Sequence, residues 1–251
     1  MKKILLFALP LLAVIAVSCE KGNGQNGNPS ELKLVKEVKN SFGKGDYTIN
    51  SFEYDKQGRM IKQTVTYYSD YAVSEMFYYT HKYSGNEIIS TVHNTDGDEL
   101  TVKHMLNDDG YLVRHSVFDY QGDFYYILTY KNGYVSSMKQ HTSSGREQQI
   151  DVEWKDGNVV EENVEYADFV NVTNIEFSAI GIMGGYTFAN LGIDVLPAKW
   201  KGFSNKNLVK KTKEDGVEYL YKYEFDTDGY PIKIDVTSTG NDSHCTITYY
   251  E

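Results

Sequence analysis

Six histidines stand among the 251 residues, and two of them, His104 and His115, flank the dipeptide Asp109-Gly110. A chain that reverses at that dipeptide puts the two imidazoles directly opposite each other on neighbouring strands, on one face. Two imidazoles are half of a zinc site, because zinc takes three or four protein ligands. The nearby carboxylates Glu99 and Asp119 are not fixed by that register. The spacing therefore predicts an exposed cross-strand histidine pair, and it requires no metal and no cofactor. The acidic turns NTDGDE (94–99), NDDG (107–110) and DTDG (226–229) look loosely like calcium loops. They lack the glutamate that closes an EF-hand loop, and turn formation alone accounts for Asp, Asn and Gly there. No Gly-x-Ser-x-Gly elbow and no Gly-rich phosphate loop is present, so no activated serine or nucleotide chemistry is predicted. Carboxylates are abundant, but a Glu beside a Lys on a wet strand face is a solubilising pair, and a glycosidase pair has no fixed sequence spacing. The 22 tyrosines remain. Rings with a polar tip form strands well, and some of them, with Trp154 and Trp200, suit a groove for a glycan or peptide.

Hairpins must position these side chains. In EYLYKYEFDTDGYPIKIDV (218–236) an Asp-Gly separates two alternating runs, the signal for a two-residue type I′ turn at Asp228 and Gly229. That turn sets Phe225 opposite Ile232, Glu224 opposite Lys233, Tyr223 opposite Ile234, Lys222 opposite Asp235 and Tyr221 opposite Val236. Aromatic and β-branched residues then share one face and opposite charges the other, each pair worth roughly 0.2–1 kcal/mol over an alanine pair. A slip of one residue would turn the apolar face toward water.

The device recurs in YDKQGRMI (54–61), YSGNEII (83–89), LNDDGYLV (106–113), YKNGYVS (130–136), WKDGNVV (154–160) and FDTDGYPI (225–232). Their glycines fall at 58, 85, 110, 133, 157 and 229, with gaps of 27, 25, 23, 24 and 72, the last being three times 24. Further turn glycines at 97, 122, 145, 216 and 240 lie between them. A repeat that cannot bury its own face stacks on its neighbours. The pattern thus predicts an all-β fold, an antiparallel β-meander of about 16 short strands forming a curved sheet or barrel.

The N-terminus carries an address. MKKILLFALPLLAVIAVSC has two lysines, an apolar core over 4–17 and the small residues Ala16-Val17-Ser18, the layout of a signal peptide spanning 1–18. Cys19 after Ala-Val-Ser resembles the lipobox of bacterial lipoproteins. The resemblance implies that Cys19 is acylated and becomes the mature N-terminus, and two or more acyl chains hold a protein at a bilayer stably. Residues 19–31, with the polar run EKGNGQNGNPS, form a flexible tether, and 32–251 a single all-β hairpin-repeat domain. Net charge is −10, and loss of Lys2 and Lys3 with the signal makes the chain more acidic still. That sign argues against nucleic acid as a partner, whose binding needs a basic footprint. Once Cys19 is acylated only Cys245 remains, so no intrachain disulfide forms.

Aromatic strands at regular spacing also describe an outer-membrane barrel, but a lipid-facing wall tolerates lysine poorly, at roughly 2–4 kcal/mol near the midplane. The face opposite Tyr219, Tyr221, Tyr223 and Phe225 carries Glu218, Lys222 and Glu224, and Asp151 and Glu153 alternate with Ile150, Val152 and Trp154. The aromatic face is therefore the inside, and the charged face meets water. Alternation stops over about 178–207, SAIGIMGGYTFANLGIDVLPAKWKGFSNKN. This non-repetitive insert predicts a short helix around 186–192, with Leu196-Pro197 ending whatever precedes it. It serves as a plug in the barrel mouth or over a sheet edge, or as a binding lid. Tyr186, Phe188 and Trp200 are its candidate ligand contacts.

Hairpins of the form aromatic-x-x-x-Gly-[Arg/Tyr]-aliphatic, as in YDKQGRMI and FDTDGYPI, are similar to YD-type repeats. With the lipobox and the LPAKWKG…NLVKKT segment leading into YEFDTDGYPIKI, residues 32–251 resemble a family of gut-bacterial lipoproteins known as a domain of unknown function with a porin-like β-fold. The resemblance implies a fold and an envelope location and transfers no catalytic residue. The expectation is an exported protein, lipid-anchored in the bacterial cell envelope, on the periplasmic or surface face of the outer membrane. Its expected role is a non-enzymatic binding or accessory module, held to the membrane by its anchor, with a glycan, a peptide or an envelope protein as partner. A purely structural envelope protein and a hydrolase acting on glycans are the alternatives.

Overall fold

The computed structural model describes residues 33–42, 44–94, 96–116, 124–142, 144–160, 163–170, 205–214, 216–239 and 242–251. These residues contain seventeen antiparallel strands and no helix, close to the expected number and of the expected kind. They are β1 (Val35–Ser41), β2 (Tyr47–Tyr54), β3 (Met60–Ser69), β4 (Ala72–Ser84), β5 (Glu87–Asn94), β6 (Glu99–Leu106), β7 (Leu112–Ser116), β8 (Tyr125–Lys131) and β9 (Tyr134–His141). The series continues with β10 (Glu147–Asp151), β11 (Trp154–Lys155), β12 (Asn158–Val159), β13 (Val164–Val170), β14 (Asn207–Glu214), β15 (Val217–Phe225), β16 (Pro231–Ser238) and β17 (Asp242–Tyr249). The helix expected around 186–192, with Tyr186, Phe188 and Trp200, lies outside the described residues, as does Cys19.

Fifteen strands make one sheet in the order β10-β9-β8-β7-β6-β5-β4-β3-β2-β1-β17-β16-β15-β14-β13, and β11 and β12 pair separately. The first and last strands, β1 and β17, lie side by side within the sheet, so its edges are β10 and β13. The edge strands share no ladder among the described residues, but the β11–β12 hairpin reaches toward both. Trp154 Nε1 donates to Val135 O on β9 at 2.7 Å. On the other side, Asn207 N–H on β14 donates to Asn158 Oδ1 at 2.9 Å, and Asn158 Nδ2 donates to Asn207 Oδ1 at 3.0 Å. One short hairpin can touch β9 and β14 together only if the sheet curls until its ends approach. The hairpin bridges the curl through these side chains and through backbone bonds, Lys206 N–H to Gly157 O at 2.8 Å and Val152 N–H to Ser136 O at 2.9 Å.

Two turn designs drive the meander. In the first, Gly58, Gly110 and Gly229 donate their N–H to Asp55 O, Asn107 O and Asp226 O at 3.0, 2.9 and 3.1 Å. The opening Asp or Asn also accepts two backbone N–H groups on its Oδ1. At these turns only the glycine is left-handed, which is a type I turn followed by a bulge. This corrects the type I′ turn expected at Asp228 and Gly229. Phe225 pairs with Pro231 across a register shift instead of with Ile232, while the four pairs from Glu224–Lys233 to Tyr221–Val236 stand as expected. The cause is Asp226, whose carboxylate holds the longer turn together. YKNG and WKDG have no Asp directly after the aromatic, and there both central residues are left-handed, Asn132 and Gly133 at φ 54° and 82°, Asp156 and Gly157 at 53° and 83°. At Gly58, with φ +71°, an added Cβ meets nothing within 4 Å. Gly58→Ala therefore carries only a conformational cost, and urea unfolding is expected to record a loss of about 1–2 kcal/mol.

The two faces differ as the alternation requires. Cross-strand ion pairs occupy the outside, among them Lys62–Glu53 at 3.1 Å, Lys139–Glu147 at 2.6 Å, Lys211–Glu218 at 2.6 Å and Lys233–Glu224 at 2.8 Å. The inner face buries two apolar clusters. One gathers Val35, Val38, Phe52, Met60, Ile234 and Ile247 with their neighbours, and the other Ile88, Leu112, Tyr126, Leu128, Val135 and Met138.

Candidate functional site

The 22 tyrosines are, with the lysines, the most numerous residues with chemistry to offer, and many serve the repeat itself. Tyr54, Tyr83, Tyr130 and Tyr249 donate their hydroxyls to the backbone carbonyls of Val35, Met60, Leu112 and Pro231 at 2.8, 2.6, 2.8 and 2.7 Å. With Trp154 donating to Val135, four of these acceptors are the aliphatic residue that follows Gly-[Arg/Tyr] in the preceding hairpin. The Arg or Tyr itself lies on the same ring. Arg59 sits 4.3 Å from the Tyr83 centroid, and Tyr111, Tyr134 and Tyr230 sit 5.2, 4.6 and 5.4 Å from Tyr130, Trp154 and Tyr249. The aromatic-x-x-x-Gly-[Arg/Tyr]-aliphatic motif is thus a clamp, in which each hairpin grips the ring of the next. Burial pushes the Tyr83, Tyr130 and Tyr249 hydroxyls up, so they stay protonated donors. Tyr83→Phe keeps the ring beside Arg59 but removes the hydroxyl that donates to the Met60 carbonyl, and a thermal melt is expected to report a loss of about 1 kcal/mol.

A second set lines the inner face in the middle of the sheet. Asn40, Thr48, Asn50, Gln63, His81, Ser90, His104 and His115 are all buried, and they fall on β1 through β7 in turn. Register places them inside, since Gln63 opposes Phe52 and Tyr79, and His104 opposes Ile88. His104 and His115 stack with centroids 4.9 Å apart and hydrogen-bond through their Nδ1 atoms at 3.2 Å. The histidines therefore do pair, but the expectation that they lie exposed is overturned, because that face turns inward when the sheet curls. Both are fully buried. Among the described residues no three His, Cys, Asp or Glu side chains converge as a metal site.

His81 Nδ1 and Ser90 Oγ are hydrogen-bonded at 2.8 Å. The pair has the contact of a serine with its base, yet both are sealed from solvent, at 3% and 0% exposure. Burial lowers the His81 pKa to about 4, which makes it a weak base. Desolvation, then the neighbouring His115 and His81, likewise push His104 down. Gln63 Nε2 donates to Asn50 Oδ1 at 3.1 Å, while Gln63 Oε1 and His104 Nε2 are buried with no hydrogen-bond partner among the described residues. Sequence reasoning missed Gln63, His81 and Ser90. The signal was the strand alternation Phe77, Tyr79, His81, Tyr83, which fixes His81 on the aromatic side.

Toward the end of the sheet opposite the Asp55–Gly58 and Asp226–Gly229 turns, the inner face becomes aromatic and more open. Tyr67, Phe77 and Tyr79 follow one another there, with centroids 5.9 and 5.5 Å apart, and Tyr67 is 38% exposed. Val65 opposes Phe77 and Gln63 opposes Tyr79, so these rings stand beside the buried amides. Lys33, where the described chain begins, is at the other end, its ammonium paired with Asp226 at 2.9 Å and with Asp228.

A curled antiparallel meander with a polar row inside it defines an all-β, porin-like architecture. The chain belongs to the family described as a domain of unknown function (DUF4595) with porin-like fold, which it matches over residues 52–182. Its fold is similar to the crystal structure of a porin-like protein from Bacteroides uniformis ATCC 8492, at a TM-score of 0.64 and 14% identity, covering 87% of this chain and 98% of that one. A porin-like protein from Bacteroides vulgatus ATCC 8482 aligns over 87% of this chain and 99% of its own at 13% identity, with a TM-score of 0.27. No curated protein matches the chain.

Proposed function

We propose that this protein is a non-enzymatic binding module of the bacterial cell envelope, lipid-anchored through Cys19. The observation that carries the binding role is the inner face at the open end. Tyr67, Phe77 and Tyr79 offer ring surfaces beside buried amides, and Gln63 Oε1 and His104 Nε2 have no hydrogen-bond partner among the described residues. Buried polar atoms are nearly always satisfied in folded proteins, so groups left over beside open rings suit a ligand with an apolar face and hydrogen-bonding edges, such as a glycan or a peptide. Support for a water-facing exterior comes from the outer ion pairs, which a lipid-facing wall would not carry. The closed His81–Ser90 pair speaks against catalysis. A purely structural envelope role is the second reading, favoured by the tyrosine clamps that consume so many of the rings.

A thermal-shift screen of the full-length protein against glycans, peptides, bile acids and divalent metals tests the binding role. A ligand at 100 times its Kd is expected to add about 2.7 kcal/mol, and Tyr79→Ala or Gln63→Leu to remove the shift. A flat panel would favour the structural role. Metabolic labelling with a fatty-acid analogue is expected to mark the wild-type chain and not Cys19→Ser.

A further inference from the structure

We propose that the free edge of β4 at residues 72–76 is a docking edge for an extended, basic segment of a partner protein. β4 is the longest strand, and β5 accompanies it only as far as Phe77, opposite Asn94. Beyond that point Val73, Glu75 and Met76 still pair with Tyr68, Tyr67 and Thr66 of β3, and all five residues from Ala72 to Met76 are exposed. Their other edge presents a row of backbone N–H and C=O groups that no described strand meets. An added strand is the occupant whose own backbone matches such a row.

The projection is braced. Asp70 and Tyr71 are both left-handed, at φ 49° and 66°, a conformation that costs a bulky aromatic residue free energy and persists only where its surroundings hold it. Here Tyr71 N–H donates to Gly45 O at 3.0 Å, while Asp46 Oδ1 accepts from Ser69 Oγ at 3.0 Å and from Asp70 N–H at 3.3 Å. Around this tip Phe42, Tyr71, Val73 and Met76 are 52%, 66%, 59% and 43% exposed, a concentration of apolar surface that suits contact with another chain. Asp46, Asp70 and Glu75 outnumber Lys44 there, so charge complementarity selects a segment that alternates basic with apolar residues.

The test uses the full-length protein and two fluorescein-labelled decapeptides, one alternating lysine with valine and the other glutamate with valine. The lysine peptide is expected to bind and to slow amide exchange at 72–76 by about tenfold or more, and the glutamate peptide to do neither. Ser74 falls at the register shift between Val73 and Glu75 and opposes no β3 residue, a bulge position of the kind where a strand tolerates proline. Ser74→Pro and Glu75→Lys are each expected to weaken binding about tenfold with the melting temperature unchanged. Binding without protection at 72–76, equal binding by both variants, or no binding at about 1 mM peptide would overturn the proposal.

Discussion

Acidification from pH 7 to 4.5 is expected to remove about 3–5 kcal/mol of stability, mostly through His81 and His104. An unfolded histidine takes up a proton near pH 6.5, whereas burial lowers the folded His81 pKa to about 4 and depresses His104 further. Between those values the unfolded chain binds more protons than the folded one, so stability falls as pH falls. The loss begins near 6.5 and continues to the folded values. Each buried neutral imidazole contributes up to about 1.4 kcal/mol per pH unit across that window. The depressed carboxylates Asp55, Asp226 and Glu147 act at lower pH: their stabilisation is full above the unfolded values, 3.8 for Asp and 4.5 for Glu, and is lost as pH falls from there through their own lowered pKa values, so it adds little between pH 7 and 4.5. Urea unfolding at pH 7 and at 4.5 measures the difference, and His81→Gln is expected to reduce it by about half. An identical pH dependence in wild type and variant would show that His81 is not held neutral.

Leu112→Ala is expected to cost about 3 kcal/mol, near the middle of the range for a buried leucine. Leu112 is fully buried among Ile88, Tyr126, Leu128, Val135 and Met138, a cluster with little else to fill the gap. Its carbonyl also receives the Tyr130 hydroxyl, so its strand start is held in place and cannot collapse toward the cavity. Ile232, 37% exposed on the outer face, is the control, and Ile232→Ala is expected to stay within about 0.5 kcal/mol of wild type. Chemical denaturation with an unchanged slope separates the two outcomes, and similar losses at both positions would mean that Leu112 does not anchor the cluster.

The clamp gives the repeat a physical meaning. A hairpin alone is marginal in water, and successive hairpins here are joined by a ring that stacks on one residue and bonds the next residue's carbonyl. Where the aromatic position holds Leu106 or Phe225, no hydroxyl is available, and the neighbouring Val209 carbonyl is instead reached by Tyr223 at 2.6 Å. At 83, 130 and 154, where no Asp follows the aromatic as it does in the YD form, Gly85-Asn86, Asn132-Gly133 and Asp156-Gly157 close two-residue turns that have no place for a capping Asp.

The sequence by itself determined the local structure. Alternation set the strands, turn glycines set the reversals, and every turn glycine read from the chain that falls within the described residues is left-handed. It also determined that His104 stands opposite His115, because a turn at Asp109-Gly110 admits that register and these are contacts between neighbours in the chain. Turn length was less legible, since Asp226 acts through bonds to Asp228 and Tyr230 that the Asp-Gly dipeptide does not announce. The tertiary structure alone decided which polar residues are buried. Asn50, Gln63, His81, Ser90, His104 and His115 are ordinary strand residues until the sheet curls, and the curl depends on β9 and β14 meeting one hairpin across more than half of the sheet. A face becomes an interior only when distant strands meet, and no local pattern encodes that closure.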